Sequence, residues 1–301
     1  MSVYWTSNRV LLREAAIECR IKNLSPLRVG SGREPPLGST VDLAVVKMRI
    51  DGALRPYIPG SSLKGVFRST SESLLRLKKP RVEPCSGLSK STCMDVREVE
   101  TAEGAIRLGR YVDQAVRSGN TESAMRVFFE KTCLMCKVFG APSYSGKTYF
   151  SDAYPVGDYH LGVRAGIAIN RRTGAVMQGA LYTVEYVEPG VRFSFSIHCR
   201  NLPNYVLGLL ASVIFMLRSG EVRLGGFKTR GFGLVTVEDI SVRVRDYPSS
   251  GRALRPLEEG VDEEVNLGDL VTVRDGWLES SGEKAWKVLS RLREVWDHAS
   301  L

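Results

Sequence analysis

The sequence has no uninterrupted apolar run near the roughly 20 residues that a membrane-spanning helix needs. Its first residues, MSVYWTSNRVLLREAA, lack an apolar stretch followed by a small-residue cleavage site, so they do not read as a secretory signal. A cytoplasmic protein with no membrane partner is the expectation. Histidine is scarce, with three in 301 residues, at positions 160, 198 and 298. None precedes residue 160, which excludes a histidine general base in the N-terminal half. None lies between Cys85 and Cys136, so a metal site there has to be built from thiolates. His160 and His198 receive no site assignment.

What is present is positive charge, and it is uneven. The formal net charge is +9, from 42 Lys and Arg against 33 Asp and Glu. Residues 255–301 hold 6 basic and 11 acidic residues, whereas residues 1–254 hold 36 and 22. A basic body with an acidic end favours a polyanionic partner bound by phosphate neutralisation, away from the acidic end. Hydrophobic residues at 43% and charged residues at 25% are ordinary for a globular protein, and the length suits one large domain or two small ones.

Periodicity outlines the core. Ile17-Glu-Cys-Arg-Ile-Lys22 alternates and reads as a half-buried strand, with Ile17, Cys19 and Ile21 inward. A loop rich in Gly, Pro and Ser follows, then an extended segment at Val41–Lys47. Pro59-Gly60 breaks the chain, and Ser61 or Ser62 is placed to cap a helix whose buried face is Leu63, Val66, Phe67, Thr70, Leu74 and Leu75. Residues 79–148 form a polar, cysteine-bearing, helical insertion with one helix around 121–132. Arg192–Cys199 alternates strictly. Pro203 opens a second helix with an apolar stripe of Val206, Leu209, Leu210, Val213, Ile214 and Leu217. The strand Leu234–Val244 slips in phase near Asp239, which predicts a bulge. Residues 246–260 read as a linker, and 283–298 as a last helix. Two βα units with helices on one face of an antiparallel sheet give an α+β, ferredoxin-like (RRM-like) core. Its pieces are 1–78 and 149–245, with 246–301 as an acidic C-terminal extension.

Between the second helix and the last strand lies Gly225-Gly-Phe-Lys-Thr-Arg-Gly-Phe-Gly-Leu234. Glycines let backbone amides approach a phosphate and adopt positive φ. Lys228 and Arg230 supply charge, and Phe227 or Phe232 is available to stack on a base. At the start of the first helix, Ser61, Ser62 and the free amides form an anion site, with Lys64 and Arg68 on one side of it.

This loop resembles the hallmark of the RAMP superfamily of CRISPR-associated proteins. Tyr57-Ile-Pro-Gly-Ser-Ser-Leu-Lys-Gly-Val-Phe-Arg68 is similar to a second hallmark. Val29-Gly-Ser-Gly32, Val138-Phe-Gly140 and Phe150-Ser-Asp-Ala153 follow in the family's order. Together they resemble backbone subunits of type III effector complexes of the Csm and Cmr kind, over about residues 17–244. The resemblance implies antiviral defence through a guide crRNA held by its backbone, self-assembly as a filament along that RNA, and other effector subunits as partners. It implies a β-hairpin thumb near 160–185, with Arg164, Arg171, Arg172 and Met177 as candidates for phosphate contact and base wedging. It also implies cleavage of target RNA by an aspartate after the first strand, a place that Asp42 occupies, with a divalent metal (Mg or Mn). Asp51 is a nearby alternative, although Asp51-Gly52 reads as a hairpin turn. Two other roles stay open: a subunit that binds without cutting, or a nuclease that processes guide precursors. The missing N-terminal histidine weighs against the processing nuclease.

Six cysteines are present, and Cys133-Leu-Met-Cys136 has the spacing of half a zinc site. Cys85 and Cys93, with seven residues between them, are the simplest second half. A structural zinc would staple an insertion that has few apolar residues to bury. Cys19 and Cys199 point with the apolar faces of their strands and read as core.

Overall fold

A computed structural model describes residues 3–30, 32, 41–177 and 179–301. Ser31 of the Val29–Gly32 motif and Thr40 before Asp42 lie outside the described residues. The first core strand, Arg13–Asn23, buries Ala15, Ile17, Cys19 and Ile21 as its alternation requires. It is central because both of its edges are used. One pairs antiparallel with Arg192–Arg200 and the other with Val235–Asp246. Cys19 stands opposite Phe195 on one side and Ile240 on the other. The second ladder shifts register between Arg20 and Ile21, which pair with Asp239 and Val237, so Glu238 is the extra residue of the predicted bulge.

The full antiparallel order is Thr272–Arg274, Trp277–Ser281, Val235–Asp246, Arg13–Asn23, Arg192–Arg200, with Thr148–Phe150 and Tyr154–Val156 on the far edge. The fold is therefore mixed α+β around an antiparallel sheet. The helix Gly60–Leu77 buries Leu63, Phe67 and Leu75, with Val66 and Leu74 packed at the margin.

The second helix, Asn204–Arg218, departs from the expected single stripe. Leu207, Ala211 and Ser212 are buried as well. Its far side is covered by the C-terminal helix Gly282–His298, and the two backbones approach so closely that a Cβ on Gly208 would collide with the Leu292 carbonyl. A helix apolar all round is one buried on every side.

Residues 246–260 are not a linker. Asp246 takes two hydrogen bonds from the fully buried Arg13, at 2.5 and 2.8 Å, and Arg13 also donates to Asn204 at 2.6 Å. Asp262 accepts from the amides of Asn204, Tyr205 and Leu257, so a carboxylate of the acidic segment caps the second helix. Part of the acidity after residue 255 thus serves the core, and these residues share one hydrophobic cluster with the sheet.

Within 79–148, the helices Cys93–Val96, Leu108–Arg117, Thr121–Lys131 and Leu134–Phe139 accompany a hairpin, Glu98–Thr101 with Gly104–Arg107. They bury a small cluster of their own around Leu108, Val112 and Phe128. A second hairpin, Leu161–Gly166 with Tyr182–Val187, stands outside the main sheet and spans the region expected for a thumb. No helix among the described residues is long and apolar enough to cross a membrane.

Candidate nucleic-acid interface and metal centre

The glycine-rich loop is held by backbone contacts before it offers any charge. Gly225 and Gly233 both have positive φ, and an added Cβ would collide with the carbonyls of Arg28 and Leu224 respectively. The Gly226 amide donates to the Arg28 carbonyl and the Gly233 amide to the Pro26 carbonyl, each at 2.8 Å. Phe227 is left-handed at φ 56°, and two guanidinium groups lie over its ring, Arg28 at 5.4 Å and Arg230 at 5.3 Å. Phe232 is buried, which removes it as a platform for a base. Lys228 and Arg230 form the exposed turn.

That turn meets the paired strands of the second hairpin, its base as distinct from the tip that carries Arg171, Arg172 and Met177. Arg230 donates to the Tyr182 hydroxyl at 2.7 Å, and the exposed Arg164 lies over Phe232 at 5.2 Å and Tyr186 at 5.9 Å. Asp42 reaches the same hairpin. Its Oδ2 accepts from the Thr183 amide at 2.7 Å and the Thr183 hydroxyl at 2.9 Å. Leu43 continues the attachment, donating to the Thr183 carbonyl and accepting from the Glu185 amide. Buried Glu185 accepts from the Val45 amide and pairs with Lys47 at 2.7 Å. The Val41–Lys47 segment therefore docks on the hairpin, and Arg28 closes the arrangement by donating to the Leu43 carbonyl at 3.3 Å. Thr183 and Arg28 were not singled out in the sequence. Arg28 directly precedes the Val29–Gly32 motif, whereas Thr183 has no local signal.

The two Thr183 hydrogen bonds hold the Asp42 carboxyl below its ordinary pKa. Asp42 is fully exposed and is ionised throughout the neutral range. A low pKa makes it a weak general base and suits it better to holding a cation or orienting a hydroxyl.

At the start of the first helix the expected serine cap is absent. Neither Ser61 nor Ser62 makes a side-chain cap. Asp152, from the Phe150–Ala153 motif, takes the Gly60 amide at 2.7 Å and also accepts from the Tyr154 hydroxyl. A carboxylate already sits where the anion was expected, which opposes a second negative group there. Lys64 is half-buried, and that burial, with the charge of Arg68 one turn on, lowers its pKa. Arg68 turns away from the helix start. Its guanidinium donates to the Gly140 carbonyl at 3.3 Å and toward Cys85 Sγ at 3.7 Å. Among the described residues no hydrogen bond or ring contact joins Ser61, Ser62, Lys64 or Arg68 to the hairpin base.

At the hairpin tip Arg171, Arg172 and Met177 are exposed, with Met177 at 60%. Their side chains have no hydrogen-bond partner among the described residues. Ile167, Ile169 and Val176 are exposed beside them.

The four clustered cysteines converge from three places. Cys85 comes from the loop after the first helix, Cys93 opens a short helix, and Cys133 and Cys136 flank the start of Leu134–Phe139. Their sulfurs all lie within 4.8 Å of one another, with Cys85 to Cys136 at 3.3 Å and Cys85 to Cys133 at 3.8 Å. A tetrahedral ion with sulfurs at about 2.3 Å has sulfur–sulfur edges of about 3.8 Å, so the donor set fits one metal ion. Mutual hydrogen bonds within the cluster pull the Cys85 and Cys133 thiols down and push Cys93 and Cys136 up. Buried Cys19 and Cys199, without such neighbours, are each pushed up to about 12.

No curated protein matches the chain. Residues 20–236, which include the glycine-rich loop, the hairpin and all four clustered cysteines, match the RAMP superfamily, and the chain belongs to that family.

Proposed function

We propose that this protein is an RNA-binding backbone subunit of a type III CRISPR effector complex, gripping guide RNA and cutting the paired target. The observation that carries the proposal is the meeting of three separate segments at the hairpin base. The loop brings Lys228 and Arg230, the hairpin brings Arg164, and the Val41–Lys47 segment brings Asp42. Exposed cations and a fixed, exposed carboxylate, held by the neighbouring residues Tyr182 and Thr183 of one hairpin strand, suit an RNA backbone and a reacting ribose. Family membership supports the RNA partner.

In this reading 1–78 and 149–245 form a ferredoxin-like core. The strand order supports it, since Arg13–Asn23 lies between Arg192–Arg200 and Val235–Asp246, and Thr148–Phe150 is at the edge. Residues 246–301 complete that core, 79–148 form a zinc-stapled insertion, and 160–185 form the thumb. Arg171, Arg172 and Met177 at its tip contact the guide–target duplex. Further copies along the RNA form a filament, with other effector subunits beside it.

The mechanism assigned to the chain is modest. Lys228, Arg230 and Arg164 hold phosphates by charge and so set affinity without reading sequence. Thr183 fixes the exposed Asp42 carboxylate through Oδ2, and no side-chain hydrogen bond to Oδ1 occurs among the described residues. One free carboxylate oxygen is the donor set of a magnesium or manganese ion that keeps several waters and takes the rest from phosphate. Such an ion would stabilise charge developing on the cleaved phosphate. The chain's own contribution is to hold the target ribose in line for attack on its phosphate.

A second reading, binding without cleavage, is favoured by the contacts of Asp42 itself. Two hydrogen bonds to Thr183 are also what a residue that only anchors the hairpin would make. Asp42→Ala in the assembled complex separates the two. Loss of target cutting with retained guide binding supports the nuclease, and equal cutting leaves only the binding subunit.

A further inference from the structure

Arg68 was expected on the RNA side of the first helix, and it is elsewhere. It bridges two arms of the four-cysteine cluster. One Nη points to Cys85 Sγ, the other to the carbonyl of Gly140, which closes the short helix that carries Cys136. The Gly140 amide itself returns to the Cys136 carbonyl at 3.0 Å. Space for the guanidinium is kept by Gly87, two residues after Cys85. Its φ is +69°, and an added Cβ would collide with the Arg68 guanidinium.

Cys85 is the ligand that most needs such help. Cys93, Cys133 and Cys136 are buried, whereas Cys85 is partly exposed and sits on a loop outside regular secondary structure. A divalent ion bound by four thiolates carries a net charge of −2. A cation donating to the exposed sulfur offsets that charge and shields the sulfur from water. The helix Gly60–Leu77 is packed into the core, so its arginine is a rigid strut between the sheet and the cluster.

We infer that Arg68 is a positioning residue of a mononuclear Cys85–Cys93–Cys133–Cys136 metal centre, and not an RNA contact. The inference rests on the metal reading given above, and its test separates the two. The full-length protein would be purified without chelator and its metal content measured. Cobalt would then replace the native ion, so that its visible bands report the thiolate ligands. Transfer of zinc to a chromogenic chelator would be timed for the wild type, Arg68→Met and Gly87→Ala.

The expected result is one ion per chain. Zinc loss should be about 10- to 100-fold faster in Arg68→Met. Gly87→Ala keeps the arginine but displaces it, and should move in the same direction. Arg68→Lys, which keeps the charge without the two-pronged reach, should fall between. If Arg68→Met does not fold, as judged by circular dichroism, Gly87→Ala decides the question. A protein that carries no metal and takes up no cobalt as a thiolate complex overturns both readings. A protein that holds its ion, with both variants releasing it at the wild-type rate, overturns the role of Arg68 alone. So does an Arg68→Met protein that keeps zinc normally but loses affinity for a single-stranded RNA.

Discussion

The hairpin base and the cysteine cluster are built on opposite plans. At the hairpin base the functional side chains are exposed, and those that are held are held by one or two contacts. Asp42 hangs on Thr183, Arg230 on Tyr182, and Arg164 on aromatic faces. In the cluster three of the four sulfurs are buried, and the fourth is covered by an arginine from the core. The difference teaches what each region is prepared for. A surface that meets a polyanion keeps its charges in water until the partner arrives. A structural ion is worth most where the protein already holds its ligands together.

The largest expected effect tests the buried side. Cys136→Ser should abolish metal retention and release residues 79–148 from protection against hydrogen exchange, while the main sheet stays protected. Uniform unfolding of the whole chain would show that the cluster supports the sheet as well. Next comes a position where the exposed side is as rigid as the buried one. Gly233→Ala forces a side chain into a left-handed position and against the Leu224 carbonyl. It should cost about 2–3 kcal/mol in chemical denaturation. RNA affinity should fall with it, because Lys228 and Arg230 lose their support.

Single charges at the hairpin base should do less. Lys228→Ala and Arg230→Ala should each weaken RNA binding about equally for all sequences. Each should also reduce the slope of log affinity against log salt by about 1. A sequence-dependent loss in fluorescence titrations would mean that these side chains read bases.

The smallest effect concerns pH. The Asp42 pKa is lowered in the folded protein, so its hydrogen bonds to Thr183 are fully present above the ordinary carboxylate value of about 3.9 and weaken only as pH falls below it. The Thr183 amide resonance should therefore hold its position down to about that pH. Movement nearer neutrality would place the carboxylate in another environment.

How much of this was legible can be seen residue by residue. The middle of the strand Arg13–Asn23, at Ile17–Lys22, and the bulge at Glu238 follow from spacing alone, because apolar periodicity is a local property. The four cysteines were legible by elimination, since no histidine competes with them between 85 and 136. The helix cap was not. Asp152 lies 92 residues from Gly60 and takes its amide because the edge strands bring it there. Asp262 caps the second helix across 58 residues in the same way, inside a segment whose acidity read as an appendage. Phe232 and Phe227 look alike in the loop, and only packing buried one and left the other in contact with two arginines.

The sequence by itself determined the family, the two core helices, the three central strands, the basic body and the donor set of the cluster, since each depends on residue kind and short spacing. Tertiary structure alone decided where the long side chains end. Nothing in the local sequence directs Arg68 toward the cysteines rather than solvent. It reaches the cysteines because the Cys85 loop and the end of the Leu134–Phe139 helix fold back over it, offering a sulfur and a carbonyl at its two ends.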